Sequence, residues 1–92
     1  MTPQEMYKLA ADLGEAKSRQ NVDDALQFMH DDIVLDSPAW GVVARGKQEN
    51  RDVLTSFFES YPDYQVSFDH HITDGDNFIG WGTVQMAMAQ DA

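Results

Sequence analysis

The chain contains no cysteine, so disulfides and thiol chemistry are excluded. It also has few bases: six Lys and Arg stand against sixteen Asp and Glu, giving a formal charge of −10. A surface of that sign repels phosphates and anionic lipid, so neither nucleic acid nor membrane is expected as a partner. No apolar run approaches membrane-spanning length. The opening, Met1-Thr-Pro-Gln-Glu, carries no basic leader followed by an apolar stretch. The expectation is a soluble protein of bacterial cytoplasmic type. Only three prolines interrupt the chain. No linker, repeat or low-complexity tract divides it, so residues 1–92 read as a single domain.

What is present is ordered by period. Thr2-Pro3-Gln4-Glu5 is a helix start with a cap, a first-turn proline and a capping box. Met6, Leu9, Ala10, Leu13 and Ala16 follow as one apolar stripe. Asn21-Val-Asp-Asp opens a second helix, capped by Asn21 and with its acids in the first turn. In that helix Ala25, Leu26, Phe28 and Met29 turn inward. A short strand, Ile33 to Leu35, delivers Asp36 at its end, and Gly41 to Gly46 read as a glycine-bounded loop. A third helix from about Lys47 to Ser60 presents Val53, Leu54, Phe57, Phe58 and Tyr61, and Pro62 stops it.

Tyr64 to Thr73 alternates as a strand, Asp74-Gly75-Asp76-Asn77 is a turn, and Phe78 to Met88 is the return strand. A two-residue loop at Gly75-Asp76 pairs Ile72 with Ile79, His70 with Trp81, and Phe68 with Thr83. That register gathers Phe68, His70, Ile72, Ile79 and Trp81 on one face. Gly80 and Gly82 fall on the other, where a helix or a second backbone can come close. The pleat sends His70 and His71 to opposite faces, so they do not share one metal ion, and no metal site or cofactor is expected. No nucleophile motif, phosphate loop or dinucleotide fingerprint is present.

The order His30-Asp-Asp-Ile-Val-Leu-Asp-Ser-Pro, then Arg45-Gly-Lys and the helix ending Phe57-Phe-Glu-Ser-Tyr-Pro-Asp63, resembles the SnoaL-like polyketide cyclases. These belong to the NTF2-like superfamily, which includes ketosteroid isomerases, and the resemblance runs from Met6 to about Gln85. It implies an α+β fold: a curved antiparallel sheet packed against N-terminal helices. The family continues with further long strands, and this chain stops at Gln90-Asp91-Ala92 where they are expected, so the expectation for these residues is a domain lacking the last strands.

In the isomerase branch the strand reading acid-acid-apolar-apolar-x-Asp-Pro carries a catalytic base. Asp31-Asp32-Ile33-Val34-Leu35-Asp36-Ser37-Pro38 is similar to it, with Ser37 inserted, and the resemblance implies Asp36 as base. The same aspartate also reads as a turn cap ahead of Ser-Pro. The branch's oxyanion donors are a first-helix tyrosine and a late-strand acid. Asp12 stands opposite the tyrosine position, Tyr7 lies further up the helix, and the late strand has no counterpart. His70 and His71 do not match the family histidine.

Trp40, Phe57, Phe58, Tyr61, His70 and Trp81 are the candidate ligand pocket, with Trp40 as a lid. Met86 and Met88 extend the apolar set. Two functions follow. One is a small-ligand-binding or assembly domain without full catalytic machinery. The other is a cyclase or isomerase acting on a small apolar carbonyl compound through Asp36. The strand from residue 78 to 90 lacks a blocking charge or proline up to Gln90, which predicts a homodimer formed through the sheet.

Overall fold

Thr2 and Glu5 close a reciprocal pair of hydrogen bonds at the start of the first helix. The Glu5 amide donates to Thr2 Oγ1 at 3.1 Å and the Thr2 amide to Glu5 Oε1 at 2.8 Å. In the computed structural model, which describes residues 1–87, this box starts α1 (Pro3–Ser18). Asn21 Oδ1 then accepts from the Asp24 amide at 3.0 Å and opens α2 (Val22–Gln27). Both starts fall where the capping residues predict them.

The next segment differs from expectation. The strand β1 (Val34–Ser37) is answered by a second strand, β2 (Val42–Arg45), across a 3-10 turn at Pro38–Trp40. Val42–Arg45 therefore is not loop. Leu35 pairs with Ala44 and Asp36 with Val43, and the Gly46 amide closes the hairpin on the Ile33 carbonyl at 2.7 Å. Glycines at both ends suggested a loop, yet Val-Val-Ala-Arg between them satisfies the free backbone of β1. The helix α3 (Gly46–Ser60) follows at once, with Glu49 Oε1 accepting from the Arg45 amide at 2.8 Å.

Ala16, Ala25, Leu26, Met29, Leu54 and Phe58 form the buried core where α1, α2 and α3 meet. Burying a side chain such as Leu54 contributes about 1.5–3 kcal/mol. Among the described residues one polar side chain lies inside: Asn50, fully buried, donates from Nδ2 to the carbonyls of Ala44 at 3.2 Å and Gly46 at 2.8 Å. It fastens β2 to the first turn of α3.

The long hairpin β3 (Gln65–Asp74) and β4 (Asn77–Gln85) lies against α1. Gly75 takes φ 59° in its two-residue turn, as expected there. The register matches expectation at the turn, with Ile72 opposite Ile79 and His70 opposite Trp81. Further out it does not. A bulge at Asp69 places Phe68 opposite Gly82, and Ser67, not Phe68, opposite Thr83. One extra residue reverses the alternation beyond it. Phe68 thus leaves the face of His70 and Ile72 and turns toward α1, where Gly14 lies near its ring. The return strand ends at Gln85; Met88 and the rest of the predicted stretch to Gln90 lie outside the described residues. The two hairpins form separate two-stranded sheets. Among the described residues no helix is long and apolar enough to cross a membrane.

Candidate functional site

The reversal at Asp69 gives the long hairpin two unlike faces. Val66, Phe68, His71 and Thr73 share the inner face with Phe78, Gly80, Gly82 and Val84. His71 is stacked on Phe78, with ring centroids 5.4 Å apart, and meets Tyr7 of α1 at 4.4 Å. Phe68 meets Phe78 edge-on at 6.2 Å. Gly80 makes room for both rings: a Cβ there would lie 2.8 Å from Phe68 Cδ1 and 2.9 Å from Phe78 Cε1. The inner face is anchored at its far end by Ser18. Its hydroxyl accepts from the Val66 amide at 3.0 Å and donates to the Val66 carbonyl at 3.3 Å.

Between this face and the helices lies an apolar cleft of about 460 Å³. Met6, Leu9, Ala10 and Leu13 of α1 form one wall, Phe28 past α2 another, and Phe78 with Asp76 the third; Met1 reaches the lip. The volume falls in the range of small-molecule sites, and an apolar body with one polar group at the rim is their usual chemistry. A second hollow of about 320 Å³ between α2 and α3 is lined by Asp23, Leu26, Gln27, Lys47, Gln48 and Arg51. Its cations are already engaged, Arg51 with Asp23 at 2.7 Å and Lys47 with Asp31 at 3.5 Å.

The six residues expected to line a pocket fall into two groups. Trp40, Phe57, Phe58 and Tyr61 come together around the end of α3. Trp40 lies 6.2 Å from Phe57 and 5.8 Å from Tyr61, and Phe57 is 4.9 Å from Tyr61 and 6.1 Å from Phe58. Tyr64 joins them, 5.0 Å from Phe57, and burial raises its hydroxyl pKa above the usual tyrosine value. His70 and Trp81 pair at 5.6 Å on the outer face of the long hairpin, away from that cluster. No ring contact links the two groups among the described residues. Ile72 and Ile79 stand beside His70 and Trp81, 57% and 58% exposed.

Asp36 is exposed. It lies opposite Val43 on the outer face of the short hairpin, the face that also bears Val34. The inward positions there belong to Leu35 and Ala44. His70 and His71 lie on opposite faces, as the pleat requires.

Sequence reasoning gave the cleft's helical wall only as one apolar stripe and did not name it as a pocket. The stripe of Met6, Leu9, Ala10 and Leu13 is visible in the sequence, but its filling is not. Phe28 and Phe78, from elements far apart in the chain, are what turn the stripe into a wall.

The family model of the SnoaL-like domain matches residues 10–91. The chain belongs to the SnoaL-like family. The helices wrapped by antiparallel hairpins agree with that assignment, and with the α+β, NTF2-like architecture expected from it. The fold is also similar to the crystal structure of a cystatin-fold protein from Novosphingobium aromaticivorans. That match has a TM-score of 0.67 and 23% identity and covers 79% of this chain. The SnoaL-like chain spans 62% of the length of that protein. No curated protein matches it.

Proposed function

We propose that this SnoaL-like domain binds a small, mostly apolar molecule in the cleft between α1 and the long hairpin. The observation that carries the reading is the cleft itself: about 460 Å³, walled by side chains of α1, the end of α2 and the start of β4. Burying a small ligand's apolar surface there contributes about 25 cal/mol per Å² before the cost of immobilising it. Titration with 1-naphthalenemethanol, followed through the methyl signals of Met6, Leu9 and Leu13, tests it. Saturable shifts at those three, with Leu54 in the core unmoved, are expected. Shifts scattered elsewhere, or none, would count against the cleft.

The acid–base reading, a cyclase or isomerase with Asp36 as base, needs a partly dry carboxylate. Asp36 is exposed among the described residues, so ligand binding is the reading that the geometry favours. The aromatic cluster of Trp40, Phe57, Phe58 and Tyr61 is retained as a second apolar surface for a ligand, with Trp40 at its outer edge.

A specific observation also favours self-association. Ile72, Ile79 and Trp81 are each half exposed or more on the outer face of the long hairpin, beside His70. The outer edge of β3 is met by Ser18 at Val66, whereas no such side-chain bond covers β4 between Phe78 and Val84 on its open side among the described residues. A homodimer formed through this sheet buries the apolar stripe by a two-fold arrangement. Sedimentation velocity at micromolar concentration is the test, with Ile79→Lys expected to give the monomer. A wild-type chain sedimenting near 10 kDa removes the dimer. The proposed compartment is the cytoplasm.

A further inference from the structure

We propose that the cleft selects an amine: a ligand with an apolar body and a cationic end that meets Asp76. This rests on the cleft being a ligand site and adds the chemical class of the occupant.

The lining is lopsided in charge. Met6, Leu9, Leu13, Phe28 and Phe78 supply apolar wall, and among the described residues one acidic side chain, Asp76, stands with them. Asp76 belongs to the turn between β3 and β4, so its carboxylate sits at the rim and not in the floor.

Among the described residues no lysine or arginine lines the cleft. Lys8 is held by Asp12 at 2.7 Å, and Arg19 by Glu15 at 2.7 Å and Asp24 at 3.0 Å. Lys47 and Arg51 line the other hollow, and Lys17 and Arg45 belong to the end of α1 and the end of β2. Met1 at the lip carries the α-amino group, the one positive centre on a lining residue among the described residues; Glu5, whose pKa is lowered first by its hydrogen bonds with Thr2, lies near enough to feel that charge. With a formal charge of −10 over the chain, the field at the rim repels a carboxylate or phosphate and draws a cation.

A neutral alcohol of the same body gains the apolar contact but not the charge interaction. A carboxylate gains the contact and meets repulsion. The cleft therefore ranks three ligands of one shape by charge alone. A rim contact of this kind is partly screened by salt, so the expected margin is modest, about threefold to tenfold.

The test uses 1-naphthylmethylamine, 1-naphthalenemethanol and 1-naphthoate, titrated at low salt into the full chain and into Asp76→Asn. Methyl shifts of Met6, Leu9 and Leu13 report occupancy. The amine is expected to bind tightest and naphthoate weakest. Asp76→Asn is expected to bring the amine down to the alcohol, and 0.5 M salt to narrow the same gap. Should amine and alcohol bind alike, or should the gap persist in Asp76→Asn, the charge selection is wrong while cleft binding stands. Should none of the three move those methyl signals at millimolar concentration, the cleft is not a ligand site and both readings fall together.

Discussion

Gly82 of β4 faces the carbonyl oxygen of Ser67 on β3 so closely that a side chain there would run into it. The same Cβ would lie 2.8 Å from the Asp69 amide nitrogen. This is the spot where β3 bulges, so the bulge and the glycine require each other. Gly82→Ala is expected to lower stability by about 3 kcal/mol, because backbone has to move. Gly80→Ala meets only the rings of Phe68 and Phe78, which can tilt, and should cost about 1 kcal/mol. Urea unfolding of the two variants checks the order; the reverse order would mean that the bulge is not held by Gly82.

Asn50 makes a second test. Its Nδ2 serves two carbonyls inside the protein, and its Oδ1 is buried without a partner among the described residues. Replacing it by leucine leaves the Ala44 and Gly46 carbonyls without that donor, at a cost of about 2 kcal/mol. Asn50→Asp should do more harm at neutral pH, since an ionised carboxylate cannot donate and is costly to bury. Burial raises the folded-state pKa of such a carboxyl, so the penalty grows as pH climbs past the unfolded value and shrinks in acid. Denaturation of Asn50→Asp at pH 4 and pH 7 measures that sign.

Ser18 holds β3 to α1 through both backbone groups of Val66. Ser18→Ala is expected to cost about 1–2 kcal/mol. Hydrogen exchange should show the Val66 amide losing protection before the amides of Ile72 and Ile79. Equal loss along the whole hairpin would argue against a local anchor.

Lys17 occupies the inward side of α1, half-buried, and burial lowers its pKa below the usual lysine value. A base whose folded pKa is lowered costs stability while it stays charged. That cost is relieved as pH rises through the folded pKa toward the unfolded one. Lys17→Met is therefore expected to stabilise the protein by about 1 kcal/mol at pH 7. The advantage should fade in strongly alkaline buffer. Thermal melts of both chains across that range decide it, and a pH-independent gain would point to packing instead.

Local signals carried much of the fold. Thr2 and Glu5, Asn21, Pro62 and Gly75 mark their boundaries because a cap, a ring or a positive φ acts within a few residues. The SnoaL-like order of strand, aspartate and third helix was also visible as a string, and the family match agrees with it. β2 was missed because Val42–Arg45 is too short to show a period between two glycines, and only pairing with β1 makes it a strand.

The faces of the long hairpin were decided elsewhere. Alternation placed Phe68 beside His70 and Ile72, and one unpaired residue at Asp69 turned it to the other side. The sequence by itself determined the helices and the turn, the apolar stripe of α1 and the negative surface, since each depends on near neighbours or on composition. Only the tertiary structure decided that Phe28 and Phe78 stand off from that stripe and leave a cleft, and that Asp36 lies outside it. Those are relations between elements far apart in the chain, set by how α1, α2 and two separate hairpins pack, and residue periodicity does not encode the distance between packed layers.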